Sequence, residues 1–126
     1  MRETDPVRLQ LSRRAGFDLQ ELSRSTNGLP AVNVARPSKW GNPFRIGKPV
    51  DVRQVKRWGW AFKNPEFVCE DAATAVRRFR GCIAFDDAIM PHVIGELRGK
   101  NLACWCERDV PCHADVLMAL ANSQPK

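Results

Sequence analysis

The segment 101–122, NLACWCERDVPCHADVLMALAN, constrains the fold most strongly, because two kinds of regular structure meet in it. Its first part, NLACWC, is apolar, as expected of a strand that is covered on both faces. From Cys112 onward, Val116, Leu117 and Leu120 recur at helical spacing, which predicts a final helix. A buried strand that leads into a helix indicates a small α/β domain, in which helices pack on one sheet.

The rest of the chain supplies partners for this strand and this helix. Residues 7–11 alternate between apolar and polar side chains, and AVNVA at 31–35 is a second short strand, which we place beside the 101–106 strand. Residues 70–84 predict a helix whose apolar face is formed by Ala72, Ala75, Val76, Phe79, Cys82 and Ile83. A shorter helix is expected from Met90, with Pro91 in its first turn. Residues 14–30 are polar and predict a loop, and 46–69 are ambiguous.

Length, charge and cysteine use limit the function classes. With 126 residues we expect one domain over 1–126, with its core at about 7–122. The formal net charge of +6 favours an anionic partner such as a nucleotide or a nucleic acid, although a solvated basic surface is the alternative. The sequence lacks the apolar run of a signal peptide or a membrane span, which predicts a cytoplasmic protein with no membrane partner. Its five cysteines are then expected to be thiols.

The pair Cys112–His113 opens the predicted last helix and is the candidate reactive centre. Unpaired N–H groups and the dipole at a helix N-terminus favour a thiolate, so Cys112 would be the most acidic of the five thiols, provided that it reaches solvent. His113 could act as its general base, and Asp115 lies three residues after Cys112, as in a loose capping box. These three residues are the candidate catalytic set. Packing in the core is the alternative, because a buried cysteine also behaves as a small hydrophobe.

The residues that would bind a metal, if one is present, are Cys104, Cys106, Cys112 and His113. Zinc bonds of ~2.3 Å at tetrahedral angles hold sulfurs about 3.8 Å apart. Residues two apart on a regular strand are instead displaced by roughly 6.5 Å along one face. Unless the strand breaks between Cys104 and Cys106, we therefore expect no metal, and we expect no other cofactor. On the same strand Trp105 would alternate to the opposite face and pack in the core.

The loop RPSKWGNPF at 36–44 directly follows the second predicted strand. In α/β folds, ligands gather at the carboxyl ends of strands, and a guanidinium can bind phosphate with two parallel bonds. Gly41 would let the backbone approach a ligand, and Trp40 could stack on a base. The candidate ligand-binding residues are Arg36, Lys39, Trp40, Gly41, Asn42 and Arg45. A rigid surface turn with Trp40 in the core is the alternative.

The two motifs together resemble a known family. ARPSKWGNPF followed by LRGKNLACWCERDVPCHADVLMALAN is similar to the bacterial and phage family catalogued as domain of unknown function 4326, over roughly 7–122. The motif positions are Arg36, Pro37, Lys39, Trp40, Gly41, Asn42, Pro43, Phe44, Cys104, Trp105, Cys106, Cys112, His113 and Asp115. A fainter likeness is to domain of unknown function 488, where Ala114 stands in place of an arginine. Neither resemblance implies an activity.

The sequence therefore predicts a cleft in which the 36–44 loop and the Cys112–Asp115 turn meet. We expect a phosphorylated ligand there, a nucleotide or a nucleic acid, with chemistry by the cysteine and histidine as a further expectation. The alternative is a non-catalytic module for nucleic-acid or protein interaction, whose Cys–His cluster is structural or binds zinc.

Overall fold

The computed structural model describes residues 5–62, 66, 68–107 and 109–123. In chain order, their strands and helices are β1 (Arg8–Gln10), α1 (Leu19–Asn27), β2 (Ala31–Asn33), α2 (Val52–Trp58), α3 (Ala72–Ala84), α4 (Met90–Leu97), β3 (Asn101–Cys104) and α5 (His113–Ala121).

The sheet is parallel, with strand order β1-β3-β2. Leu9 is in register with Ala103, and Val32 with Leu102. All four residues of β3 are buried, as its apolar sequence predicts for a strand covered on both faces. The predicted α/β class is confirmed, and so is the pairing of the last strand with AVNVA, although β2 forms an edge of the sheet.

The helices around β3 follow the apolar patterns in their sequences. Ala75, Phe79 and Ile83 of α3 are buried, and Asp71 caps the helix by accepting a hydrogen bond from Thr74 N at 2.8 Å. Pro91 lies in the first turn of α4, as predicted. The contacts of α5 with both α3 and α4 complete the core over the sheet.

The prediction of a loop over 14–30 is wrong, because this stretch contains α1. Asp18 caps the helix by accepting from Glu21 N at 3.1 Å, and Gly28 ends it with a positive φ of 80°. Gly28 suits this position because residues with a Cβ avoid the left-handed conformation. Leu19 and Leu22 are only partly buried, so the apolar pattern of the helix is weak.

A polar network inside the fold joins α1 to the sheet. Asn101 Oδ1 accepts from Val7 N and from Asn27 Nδ2, both at 2.9 Å. Asn101 Nδ2 donates to Ser23 Oγ at 2.7 Å and to Asn27 Oδ1 at 2.8 Å. Every polar atom of this fully buried amide therefore has a partner, which offsets the cost of removing it from water.

In the ambiguous stretch 46–69 the structure shows α2. Asp51 caps this helix by accepting from Arg53 N and Gln54 N, and Gly59 ends it. An aromatic cluster follows: Trp58 stacks on Trp60 with ring centroids 4.8 Å apart, and meets Phe79 edge-on at 5.5 Å. The part of this stretch at 63–65 and 67 lies outside the described residues.

Among the helices of the described ranges, none has both the length and the apolar character needed to cross a membrane.

Candidate functional site

A cleft of about 420 Å³ lies where β2 and β3 end at the same edge of the sheet. Parallel strands present their carboxyl ends together, so the segments after Asn33 and Cys104 meet there. The described residues that line it are Ala35, Arg36, Asn42, Phe44, Arg45, Ile46, Lys48, Ala72, Ala75, Val76, Cys104, Trp105, Cys106, Pro111, Cys112 and His113. The structure thus brings Arg36 and His113 to one cleft.

The cysteines of this cleft lie together because β3 ends early. The strand stops at Cys104 and the chain bends at residues 105 and 106. The Sγ atoms of Cys104, Cys106 and Cys112 consequently all lie within 4.8 Å of one another. The premise of a regular strand through Cys106 is therefore wrong, and the geometric argument against a metal fails with it.

The same bend turns Trp105 outward. The predicted core position is wrong, since Trp105 is 44% exposed and lines the cleft. The Arg13 guanidinium lies 4.6 Å from the centroid of its ring, a cation–π distance. The contact holds a large aromatic surface at the mouth of the cleft.

The acidities of the three thiols differ from the order that the sequence predicts. Cys112 is the N-cap of α5, as expected, but its side chain makes no capping hydrogen bond. Its Sγ lies 2.8 Å from Cys104 Sγ, and hydrogen bonding to that thiol raises the pKa of Cys112. Hydrogen bonds from Cys104 and Cys112 lower the pKa of Cys106. Cys106, which is half-buried, is therefore the most acidic of the three. Cys112 is only 1% exposed, so the solvent access on which its predicted acidity depends is missing.

His113 is buried and oriented by the backbone. Its Nε2 lies 2.7 Å from the carbonyl oxygen of Val34, an acceptor, so this nitrogen carries the proton. Burial lowers the pKa of His113, which keeps the ring neutral. Its unprotonated Nδ1 then accepts a hydrogen bond from the thiol of Cys112, whose Sγ lies 3.7 Å away.

Three cationic side chains line the cleft and form its cationic wall: Arg36, Arg45 and Lys48. Arg36 donates from Nη1 to the carbonyl oxygen of Asn42, and burial lowers its pKa from a very high ordinary value, which leaves it charged. Arg45 Nε donates to the carbonyl of Pro49 at 2.9 Å. Among the described lining residues there is no Asp or Glu, so this wall is electropositive.

Other residues of the 36–44 loop hold its shape. Asn42 lines the cleft, but its Oδ1 accepts from Phe44 N at 2.9 Å and its Nδ2 donates to the carbonyl of Ala75 at 3.3 Å. The carbonyl of Gly41 accepts from Trp58 Nε1 at 2.8 Å. These bonds fix the loop against α2 and α3.

Four predicted site residues do not line the cleft: Lys39, Trp40, Gly41 and Asp115. Lys39 forms an ion pair of 2.6 Å with Glu96 on α4, and Trp40 is 4% exposed and packs against Trp58. Asp115 points outward and forms an ion pair of 2.9 Å with Arg8. The loop turns back on itself after Arg36, which leaves Lys39 on the surface and places residues 40–44 in the core. Asp115 lies on the outer face of α5.

Sequence reasoning missed Trp105 and Lys48 as members of the cleft. The signal for Lys48 was its position soon after Arg36 and Arg45 in a segment rich in Gly and Pro, where a turn can bring cations together. Trp105 gave no such signal, because its orientation depends on where β3 ends.

A larger cavity of about 630 Å³ lies elsewhere, between the segment after β1 and α1. Its described lining combines Arg14 with Asp18 and Glu21 and contains neither cysteine nor histidine. Mixed charge and the absence of a nucleophile among those residues make it a weaker candidate than the smaller cleft.

The comparisons with known proteins agree with the pairing of the two motifs. A family model described as "Domain of unknown function (DUF4326)" matches residues 20–123, which include both the 36–44 loop and the three clustered cysteines. No curated protein and no solved structure matches significantly. Because the match covers most of the chain, this protein belongs to the DUF4326 family.

Proposed function

We propose that the protein binds a phosphorylated ligand of nucleotide size in the cleft between the 36–44 loop and the N-terminus of α5. The observation that carries the proposal is the wall formed by Arg36, Arg45 and Lys48, with no carboxylate among the described lining residues. Charge-assisted hydrogen bonds from such groups to phosphate are among the strongest in proteins.

Size and shape favour a small ligand. A volume of about 420 Å³ lies within the range of pockets for small molecules, ~300–1,000 Å³. Trp105 supplies an aromatic face on which a base could stack, and its contact with Arg13 orients the ring in advance. A mononucleotide combines the two groups, anion and aromatic ring, that this cleft is suited to hold.

The geometry favours binding over nucleophilic catalysis. Cys112 is only 1% exposed, and the Val34 carbonyl, rather than Asp115, orients His113. A nucleophile needs access to its substrate and a base positioned to accept its proton. His113 Nδ1 lies 3.7 Å from Cys112 Sγ, but the thiol has almost no solvent access. Asp115 pairs with Arg8 and does not orient the histidine, so the three residues do not form a catalytic triad.

The alternative, a non-catalytic module that binds nucleic acid, makes a different prediction for salt. A polynucleotide that contacts many cations loses affinity steeply with added salt, because counterions are released on binding. The affinity for a mononucleotide held by the three cations of the cleft should fall only slightly as salt is added.

A ligand panel tests the proposal. Nucleoside mono-, di- and triphosphates, the nucleosides alone, inorganic phosphate and short oligonucleotides are compared by the rise in melting temperature and by calorimetry. We expect at least one phosphorylated nucleotide to bind, and its parent nucleoside to bind much more weakly. Arg36→Ala should weaken binding by roughly tenfold to a hundredfold, since one charge-assisted bond is worth about 1.5–3 kcal/mol.

The matched control is Arg80→Ala, which removes the same charge from an exposed position of α3 that does not line the cleft. Its affinity should equal that of the wild type. If no phosphorylated compound binds, or if both variants lose affinity equally, the cleft is not the binding site.

A further inference from the structure

The three thiols of the cleft have the spacing of metal ligands. The Sγ atoms of Cys104, Cys106 and Cys112 lie within 4.8 Å of one another, and Cys104 and Cys112 are 2.8 Å apart, yet none forms a disulfide. Tetrahedral zinc with bonds of ~2.3 Å needs sulfurs about 3.8 Å apart. Zinc binding would therefore move the Cys104 and Cys112 sulfurs apart by about 1 Å.

Two different features of the backbone bring these sulfurs together. Cys104 ends β3 and the following bend returns Cys106 to the same side, whereas Cys112 arrives as the N-cap of α5. Cys104 and Cys112 are 2% and 1% exposed. Two separate chain segments therefore converge on one small volume that is mostly shielded from water, as is usual for a closed metal site.

His113 gives an independent indication. A histidine that binds a metal through one ring nitrogen nearly always donates the other N–H to a carboxylate, a backbone carbonyl or water. His113 does this already, through Nε2 and the carbonyl of Val34 at 2.7 Å. Its unprotonated Nδ1 lies 3.7 Å from Cys112 Sγ, close to the separation of two ligands on one tetrahedral ion.

We propose that Cys104, Cys106 and Cys112 bind one Zn²⁺ ion as thiolates and that Nδ1 of His113 completes a tetrahedral site. On binding, each thiol loses its proton to solvent, and three Zn–S bonds and one Zn–N bond replace bonds between the ion and water, with no change of oxidation state. Soft thiolate ligands with one imidazole select zinc over harder divalent ions such as Mg²⁺. This goes beyond the proposed ligand cleft and reverses the expectation of no metal.

Metal analysis of the whole chain, without an affinity tag and without added chelator, tests the proposal. We expect about one zinc per chain, and replacement by Co²⁺ should give the thiolate-to-cobalt charge-transfer absorption and the visible bands of tetrahedral cobalt. Cys106→Ser is the key variant, because Cys106 is the most exposed of the three and its loss disturbs the core least. It should weaken zinc binding, measured against a competing chelator, by more than about 100-fold.

Cys82→Ser is the matched control, since Cys82 is a half-buried thiol of α3 outside the cluster, and it should keep full zinc content. His113→Ala should shift the visible cobalt bands, because a nitrogen ligand is replaced by water. Circular dichroism of each variant shows whether the fold is retained.

Three results would overturn the proposal: a folded protein that binds neither zinc nor cobalt, equal metal loss in Cys82→Ser and Cys106→Ser, or a Cys104–Cys112 disulfide in the freshly purified protein. Unchanged cobalt bands in His113→Ala would overturn the four-ligand set. None of these measurements involves a phosphorylated ligand, so the outcome is independent of the proposed function.

Discussion

Gly41 lies directly against Arg36. A Cβ on Gly41 would meet Cγ of Arg36 at 2.7 Å, and its Cα and backbone N at 2.9 Å. Two of these three atoms belong to the backbone and cannot swing away. The absence of a side chain at residue 41 is therefore what allows the 36–44 loop to fold back and direct Arg36 into the cleft.

Gly41→Ala should consequently destabilise the protein and impair ligand binding. Forcing a methyl group into a packed site typically costs ~1–3 kcal/mol. Urea unfolding measures this cost. Gly81→Ala is the control, since a Cβ there meets nothing within 4 Å and the helical position of Gly81 predicts a gain of about 0.5–1 kcal/mol. A Gly41→Ala protein as stable as the wild type would refute the close contact.

Trp105 and Trp40 should respond in opposite ways to substitution. Trp105→Ala should weaken nucleotide binding by about 1–3 kcal/mol, because the stacking surface is lost. It should change the stability of the fold little, because the side chain is 44% exposed. Trp40→Ala should cost ~3–5 kcal/mol of stability, as expected for a buried aromatic residue. Calorimetry and urea unfolding of the two variants provide the comparison. The reverse pattern would show that Trp40, not Trp105, faces the ligand.

Asp115→Asn should leave ligand affinity unchanged. The Asp115 carboxylate binds Arg8 on the outer face of α5 and does not line the cleft. Ion pairs near the surface contribute about 0–1 kcal/mol, so the urea midpoint should move only slightly. A tenfold loss of affinity without unfolding would place Asp115 in the site after all.

Asn101→Ala should destabilise the fold strongly. It removes four hydrogen bonds and leaves Ser23 and Asn27 without their buried partner. Each buried polar group left unsatisfied costs about 1–3 kcal/mol. In a double-mutant cycle, Asn27→Ala should cost much less when Asn101 is already alanine. If the losses of stability from the two substitutions are additive, the two amides do not interact directly.

Regular apolar patterns predicted most of the fold. α3, α4 and α5 follow such patterns, and β3 is the apolar run that the sequence placed beside β2. α1 was missed because its sequence is mostly polar and only two leucines mark its apolar face, although Asp18 and Gly28 are readable signals for its start and its end. Local spacing therefore identified the elements with several apolar residues on one face and missed the helix with only two.

The candidate site was predicted less completely, because it depends on where β3 ends. A strand extended to Cys106 would point Trp105 inward and separate the thiols. A strand that ends at Cys104 instead turns Trp105 outward and brings the three thiols together. Such a boundary is set by tertiary contacts, which include the bend toward α5, so it cannot be read from the six residues NLACWC alone. The positions of Lys39 and Trp40 likewise depend on the turn at Gly41.

The strand order has a consequence for the time course of folding. β3 lies between β1 and β2, and Val7 pairs with Asn101 across 94 residues. Neither outer strand has a sheet partner until β3 is available, and closing so long a loop is slow. During synthesis the sheet and the edge that carries the cleft can form only after Cys104, the last residue of β3, has left the ribosome. A chain truncated before residue 101 would retain helices without the sheet that organises them.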